Sequence, residues 1–181
     1  MNAKERKQKS KFLSLILRHK PEVIGLGLDE NGWASVEELL GKASRGHVQL
    51  TFDELKEVVD TNDKKRFAFS EDFTMIRANQ GHSLKVDLKL EEKIPPGLLY
   101  HGTAVQNLHS IKEQGLIKGQ RHHVHLSADQ ETAIKVGGRH GKPVVLTIAA
   151  MNMYQSGITF YQSENGVWLT DCVAVQFITF P

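Results

Sequence analysis

The stretch NQGHSLKVDLKLEEKIPPG, residues 79–97, constrains the fold of this chain more than any other. Helical periodicity dominates before it, and short apolar runs dominate after it. Proline fixes φ, removes a backbone donor and pushes the preceding residue out of the α region, so Pro95-Pro96-Gly97 interrupts any regular element. A length of 181 residues allows one domain or two small ones. The change of texture favours two, divided as 1–92 and 93–181, with a short strand expected at 86–90.

In the first block, Phe12, Leu13, Ile16 and Leu17 recur at helical spacing and predict a helix over about residues 9–19. The run Arg18-His19-Lys20 ends it, because cations suit a helix C-terminus and Pro21 stops the helix. ENGWAS reads as a turn into a short extended piece. Ser35-x-x-Glu38 and Thr51-x-x-Glu54 have the form of capping boxes and open two further helices. RFAFS and FTMIRA alternate around Glu71-Asp72, as the strands of a hairpin do. Three helices followed by a hairpin is a winged-helix-like order. In the second block, LLYHGT is a strand with Thr103 capping a helix to about residue 114. HHVHLS is another, with Ser127 capping a helix to about residue 136. PVVLTIAA, GVWLT and VAVQFITF are three more strands. The fold class expected is α+β.

Composition excludes several classes. At 40% hydrophobic and 24% charged residues, the chain has the balance of a soluble protein. No apolar run approaches the ~20 residues of a membrane span. The first residues are polar and basic with no apolar segment behind them, unlike a secretory signal. The single Cys172 excludes an internal disulfide framework and a cysteine-rich zinc site. A cytoplasmic location is expected. A net charge of +2 is no polycation. The basic residues are clustered instead, Lys4, Arg6, Lys7, Lys9 and Lys11 ahead of the first helix and Lys64-Lys65-Arg66 later. Each cluster taken singly is a solvated face; only a local patch of this kind would attract a polyanion.

Chemistry concentrates in a few segments. In YHGT, Tyr100 and His101 end a strand, Gly102 permits close backbone approach and Thr103 starts a helix, whose free N–H groups suit an anionic or carbonyl ligand. In RHHVHLS, strand alternation puts Arg121, His123, His125 and Ser127 on one face, too polar for core, and His122, Val124 and Leu126 on the other. A zinc site needs three or four ligands, and no carboxylate or cysteine partner stands near these histidines in sequence. In GRHGKP, Arg139 and His140 stand between glycines after a helix, either as solvated charges or as a loop near a phosphate. Arg66 opens a hairpin strand, where a charge points to solvent or to an anion. IRANQGHS adds Arg77, Asn79, Gln80 and His82. No P-loop, no G-x-G-x-x-G and no carboxylate pair spaced for acid–base work is present.

Taken in order, SKFLSLILRHKPE, GW, DKKRF, IRANQGHS, YHGT, RHHVHLS, RHGKPVVLT and ENGVWLT resemble the KptA-type NAD-dependent RNA 2′-phosphotransferases, relatives of ADP-ribosyltransferases. The resemblance covers nearly the whole chain. It implies a winged-helix-like N-terminal lobe and an ADP-ribosyltransferase-like mixed-β C-terminal lobe. It implies that an internal RNA 2′-phosphate attacks the anomeric carbon of NAD and releases nicotinamide. The RNA-2′-phospho-ADP-ribose intermediate then transesterifies to RNA 2′-OH and ADP-ribose 1″,2″-cyclic phosphate. It assigns the catalytic tetrad to Arg18, His19, Arg66 and Arg121. The cofactor-site triplet falls on His101, His125 and Val167, with the Gly102 backbone at the carboxamide; Tyr100, Thr103 and Ser127 rank second, and Arg139 and His140 are set toward the pyrophosphate. NAD is then a co-substrate, 2′-phosphorylated RNA the other, no metal or membrane is involved, and a monomer is expected.

These residue types suit that chemistry. A phosphate monoester carries about −1.5 to −2 charge and needs positioning rather than a base. Arginine supplies the bidentate donors. Related enzymes with glutamate at the Val167 position would repel the phosphate, by on the order of 4 kcal/mol for unit charges ~4 Å apart at an effective dielectric near 20. His19 is the tetrad member that exchanges protons near neutrality, which suits the step in which the RNA oxygen leaves. Competing readings are an ADP-ribosyltransferase that stops at a capped terminal phosphate, a DNA-binding regulator built on the first block, and a metal-dependent phosphohydrolase.

Overall fold

Helix α1 spans Ala3–Arg18 and starts nine residues before Phe12, the first residue of its apolar stripe. Asn2 caps it, and Glu5 reaches back to the Asn2 backbone, a reciprocal pair that satisfies two otherwise orphaned N–H groups. The basic residues expected to precede this helix therefore lie on it. Arg6 and Lys9 pair with Glu57 and Glu54 of α3, Phe52–Asp60. The structure, a computed structural model, describes residues 1–45 and 48–181. Its contacts divide the chain into two units, Met1–Lys89 and Leu90–Pro181.

In the first unit, β1 (Ala34–Ser35) leads into α2 (Val36–Ser44), and the hairpin β2 (Phe67–Phe69) and β3 (Met75–Ala78) follows α3. The sheet order is β1-β3-β2, antiparallel throughout, with Ala34 opposite Ile76 and Ala68 opposite Arg77. Thr51 and Glu54 form a complete capping box. Ser35 caps α2, but Glu38 turns away to the Gly27 N–H and to Lys42, so the second box is half made. Leu13, Ile16 and Leu17 of α1 are fully buried with Leu39, Leu55, Val58 and Ile76. Each such side chain contributes about 1.5–3 kcal/mol by leaving water. No strand forms at 86–90; that segment is irregular, and the Asp87 N–H bonds to the Glu30 carbonyl instead.

In the second unit, β4 (Leu99–Ala104) pairs with β7 (Pro143–Ile148), and β7 with β11 (Ile178–Thr179). A second sheet has the order β6-β9-β8, from Val124–Leu126, Trp168–Thr170 and Tyr161–Gln162. The small pair β5 (Leu116–Ile117) and β10 (Cys172–Val173) completes the set. Reciprocal backbone bonds between Tyr100 and Ser127 stitch β4 to the end of β6. Helices α4 (Leu108–Gln114), α5 (Gln130–Gly137) and α6 (Ala150–Gln155) complete this α+β unit. Its core gathers Leu99, Leu126, Leu146, Ile148, Met153 and Phe160.

Three expectations fail here for local reasons. Strand β4 runs on through Thr103, which is buried and accepts from Asn107 Nδ2 at 3.1 Å rather than capping a helix. Ser127 is held in its backbone bridge, and Asp129 caps α5 by accepting from the Thr132 N–H. VAVQFITF is no single strand: a 3-10 turn at Val175–Phe177 separates β10 from β11.

Candidate functional site

The first unit gathers its cations through backbone bonds. Both His19 and Lys20 N–H groups bond to the Leu15 carbonyl, and Lys20 leaves helical geometry with φ −141° ahead of Pro21. Arg18, the last residue of α1, is half-buried. Its guanidinium lies 5.8 Å from the Phe67 ring centroid, and Nη2 donates to the Arg66 carbonyl at 3.4 Å. Its own carbonyl accepts from the Ser83 N–H at 3.0 Å. Ser83 Oγ sits 2.9 Å from His19 Nδ1, so one residue fixes the position of both neighbours.

Arg66 is delivered by a strained turn. Lys65 has φ +40°, a conformation costing an L-residue roughly 1–2 kcal/mol. Buried Asn79 holds it there: its N–H donates to the Arg66 carbonyl at 2.9 Å, and its Nδ2 to the Lys65 carbonyl at 2.7 Å. Arg66 Nη1 donates to Asn62 Oδ1 at 3.2 Å. Burial lowers the affinity of this guanidinium for its proton, and Asp63 opposes that effect. His19 and Arg66 line one open groove of about 600 Å³. Arg77, by contrast, lies 4.5 Å over the Trp33 ring, and His82 is buried. Sequence reading missed Ser83 and Asn62 as supports; a hydroxyl in GHS and an amide in TND were the signals available.

The second unit sets hydrogen-bond polarity instead. His101 Nδ1 lies 3.0 Å from the His125 carbonyl. A carbonyl only accepts, so Nδ1 carries the proton and Nε2 is left as an acceptor. Burial lowers the His101 pKa, against the smaller opposing effect of that hydrogen bond. Arg121 Nη1 lies 3.3 Å from His125 Nδ1. Guanidinium only donates, so His125 Nδ1 accepts and its proton sits on Nε2. The two imidazoles thus hold opposite tautomers.

The expected polar face is only partly realised. Arg121 and His125 do meet, and Val124 and Leu126 are buried opposite His125. The strand begins at Val124, however, so alternation does not extend to Arg121. His123 packs edge-on against Tyr161, with centroids 5.5 Å apart, and burial lowers its pKa. Gly102 serves the fold: a Cβ there would fall 1.7 Å from the Ala133 carbonyl of α5, and one on Gly137 would fall 2.6 Å from the Thr103 carbonyl. Arg139 and His140 are exposed beyond the α5 C-terminus. Val167 ends a tight turn, its N–H donating to Ser163 Oγ at 3.2 Å, with Gly166 at φ +79°; the strand starts one residue later.

Comparison with known proteins decides the family. The model of the RNA 2′-phosphotransferase, Tpt1 / KptA family, matches residues 4–172. The chain belongs to this family. It is therefore a transferase. A "Probable RNA 2′-phosphotransferase" of Escherichia coli O6:K15:H31 (strain 536 / UPEC) is 56% identical over 178 residues, covering 98% of this chain and 97% of that one. A protein of the same name from Escherichia coli O45:K1 (strain S88 / ExPEC) is 55% identical over 181 residues, covering 99% and 93%. Another from Shigella boydii serotype 18 (strain CDC 3083-94 / BS512) is 56% identical over 178 residues, covering 98% and 97%. Among the described residues, no helix is long and apolar enough to cross a membrane, and no three His, Cys, Asp or Glu side chains gather to hold a metal ion.

Proposed function

We propose that the protein removes an internal 2′-phosphate from RNA with NAD as co-substrate. In this reading residues 1–92, the first unit and three residues beyond it, form a winged-helix-like lobe that handles RNA and phosphate. Residues 93–181 form an ADP-ribosyltransferase-like lobe that takes NAD. The 2′-phosphate attacks C1″ of the nicotinamide ribose, and the C–N bond to nicotinamide breaks with its electron pair leaving on the neutral base. The neighbouring 2″-hydroxyl of that ribose then gives up its proton and attacks phosphorus. RNA leaves as its 2′-alkoxide, takes up a proton, and ADP-ribose 1″,2″-cyclic phosphate is released.

The observation that carries the reading is the bonded cation set of the first unit. Arg18 Nη2 rests on the carbonyl of Arg66, and Ser83 holds both the Arg18 backbone and the His19 ring. Such donors, fixed before a ligand arrives, suit a doubly charged phosphate, because no reorganisation is needed as charge shifts among its oxygens. Arg18, Arg66 and Arg121 hold the phosphate, and His19 protonates the departing RNA oxygen.

The residues of the second unit fit NAD in hydrogen-bond type. His101 offers an acceptor nitrogen and His125 a ring donor, a pairing suited to ribose hydroxyls, which both donate and accept. Gly102 gives backbone toward the carboxamide, Val167 lines the ribose without adding negative charge, Tyr100, Thr103 and Ser127 support these groups, and Arg139 and His140 face the pyrophosphate. NAD supplies the electrophilic ribose carbon. A cytoplasmic, monomeric enzyme completes the proposal.

The test uses an oligoribonucleotide with one internal 2′-phosphate, with and without NAD, and mass analysis of the RNA. Loss of the phosphate only with NAD is expected. Phosphate retained in both arms overturns the reading, and a retained ADP-ribose adduct on the wild-type product replaces it with an ADP-ribosyltransferase that stops after the first step and caps terminal phosphates. His19→Ala should let that adduct accumulate. Equal loss of adduct formation and adduct breakdown would remove the role given to His19.

A further inference from the structure

We infer that the groove along α1 carries the RNA strand that flanks the 2′-phosphate, with Lys7 and Lys11 as its phosphate contacts. The inference rests on the proposed reading and extends it from one phosphate to the polymer around it. An internal 2′-phosphate has chain on both sides, and that chain must leave the phosphate site along some surface. The groove of about 600 Å³ begins at His19 and Arg66 and runs between α1 and the 61–66 turn.

Two pairs of cations on α1 differ in their partners. Arg6 and Lys9 are engaged by Glu57 and Glu54 of α3. Lys7 and Lys11 are exposed, line the groove and pair with no carboxylate among the described residues. They stand four residues apart, where like charges weaken a helix. A helix rises ~1.5 Å per residue, so they lie about 18 and 12 Å along the axis from His19, beyond the reach of a single phosphate. Lys64 adds charge on the facing turn. Asn62 Nδ2 donates to Ser10 Oγ while Asn62 Oδ1 takes Arg66, so the groove floor ties α1 to the residue at its end. Asp63 is the one carboxylate in the lining, beside Arg66. A strand of regularly spaced anions with tolerant sequence is the ligand that this row of charges matches.

The test measures binding first and turnover second, on the full chain. A fluorescent ten-nucleotide RNA without a 2′-phosphate is titrated by anisotropy over a salt series. Lys7→Ala/Lys11→Ala should weaken binding about tenfold at low salt and make the log–log salt slope shallower by about 1.4, since each single-strand phosphate contact contributes roughly 0.7. Lys4→Ala, which removes a charge from the same helix outside the groove, should change both far less. In turnover, the double variant should lose at least ten times more kcat/KM on a 2′-phosphorylated ten-mer than on a 2′-phosphorylated dinucleotide, through KM. An unchanged salt slope, or equal losses on both lengths, overturns the inference. A wild-type chain that binds the ten-mer with the expected slope yet never removes the phosphate overturns the phosphotransferase reading and leaves the groove standing.

Discussion

The two units handle polar side chains in opposite ways. The first fixes where charge sits: Ser83 and Asn79, both on the irregular segment after β3, hold the backbones of Arg18, Lys65 and Arg66. The second fixes which way hydrogen bonds point: a backbone carbonyl and a guanidinium force His101 and His125 into opposite tautomers. Charge can be held by a few backbone bonds at element ends, because a phosphate accepts from any donor near it. Tautomers need a partner of one kind at each nitrogen, here the His125 carbonyl for His101 and Arg121, ahead of β6, for His125. The proposed phosphate site accordingly draws on element termini, and the proposed ribose site on strand histidines.

The sharpest way to break the comparison is Arg18→Lys. Lysine keeps the charge but loses the planar fork, so kcat/KM should fall by about 10²–10³ with the melting temperature nearly unchanged. A loss below threefold would show that only charge matters in the first unit. Next is Gly102→Ala in the second unit. Its Cβ would overlap the Ala133 carbonyl, so destabilisation of about 3 kcal/mol or more is expected in thermal unfolding. Asn79→Ala should come third, costing about 1–2 kcal/mol of stability. It should also lower kcat more than KM, because the Lys65 turn no longer presents Arg66 in one place. Equal loss in a variant carrying Lys65→Gly would argue against strain at that turn.

The smallest effect is on pH dependence. Folded His101 and His123 both have pKa values below the ordinary histidine value of 6.5. Below about pH 6.5 the unfolded chain takes up protons that the folded chain refuses, so stability is fully present above that pH and falls as pH drops toward the folded values. His101→Gln should flatten the stability profile between pH 7 and 5, measured by denaturant unfolding. An unchanged slope would mean that His101 is not held neutral.

Much of the fold was legible along the chain. Leu13, Ile16 and Leu17 announced the buried face of α1, Thr51 and Glu54 the start of α3, and RFAFS with FTMIRA the hairpin. Element ends were less legible, because propensity is local and pairing is not. Thr103 reads as a cap by type, yet the ladder with β7 carries β4 past it. Ser127 likewise loses its capping role to a backbone bridge with Tyr100. Part of the site was legible as residue types: arginines and histidines beside turns, without an acid–base pair. The supports were not, since Ser83 and Asn62 are common polar residues until folding puts them beside His19 and Arg66.

The sequence by itself determined the α+β class, the change of texture between the two units, the clustering of arginines and histidines and the family that the ordered motifs resemble. Tertiary structure decided the rest. It settled that Arg18 meets the Arg66 backbone, that Gly102 makes room for α5, and that His101 and His125 carry their protons on different nitrogens. The physical reason is range. Periodicity, caps and breakers act within a turn or a strand, whereas the proton's place on His101 and the anchor of the Arg18 guanidinium depend on partners 24 and 48 residues away.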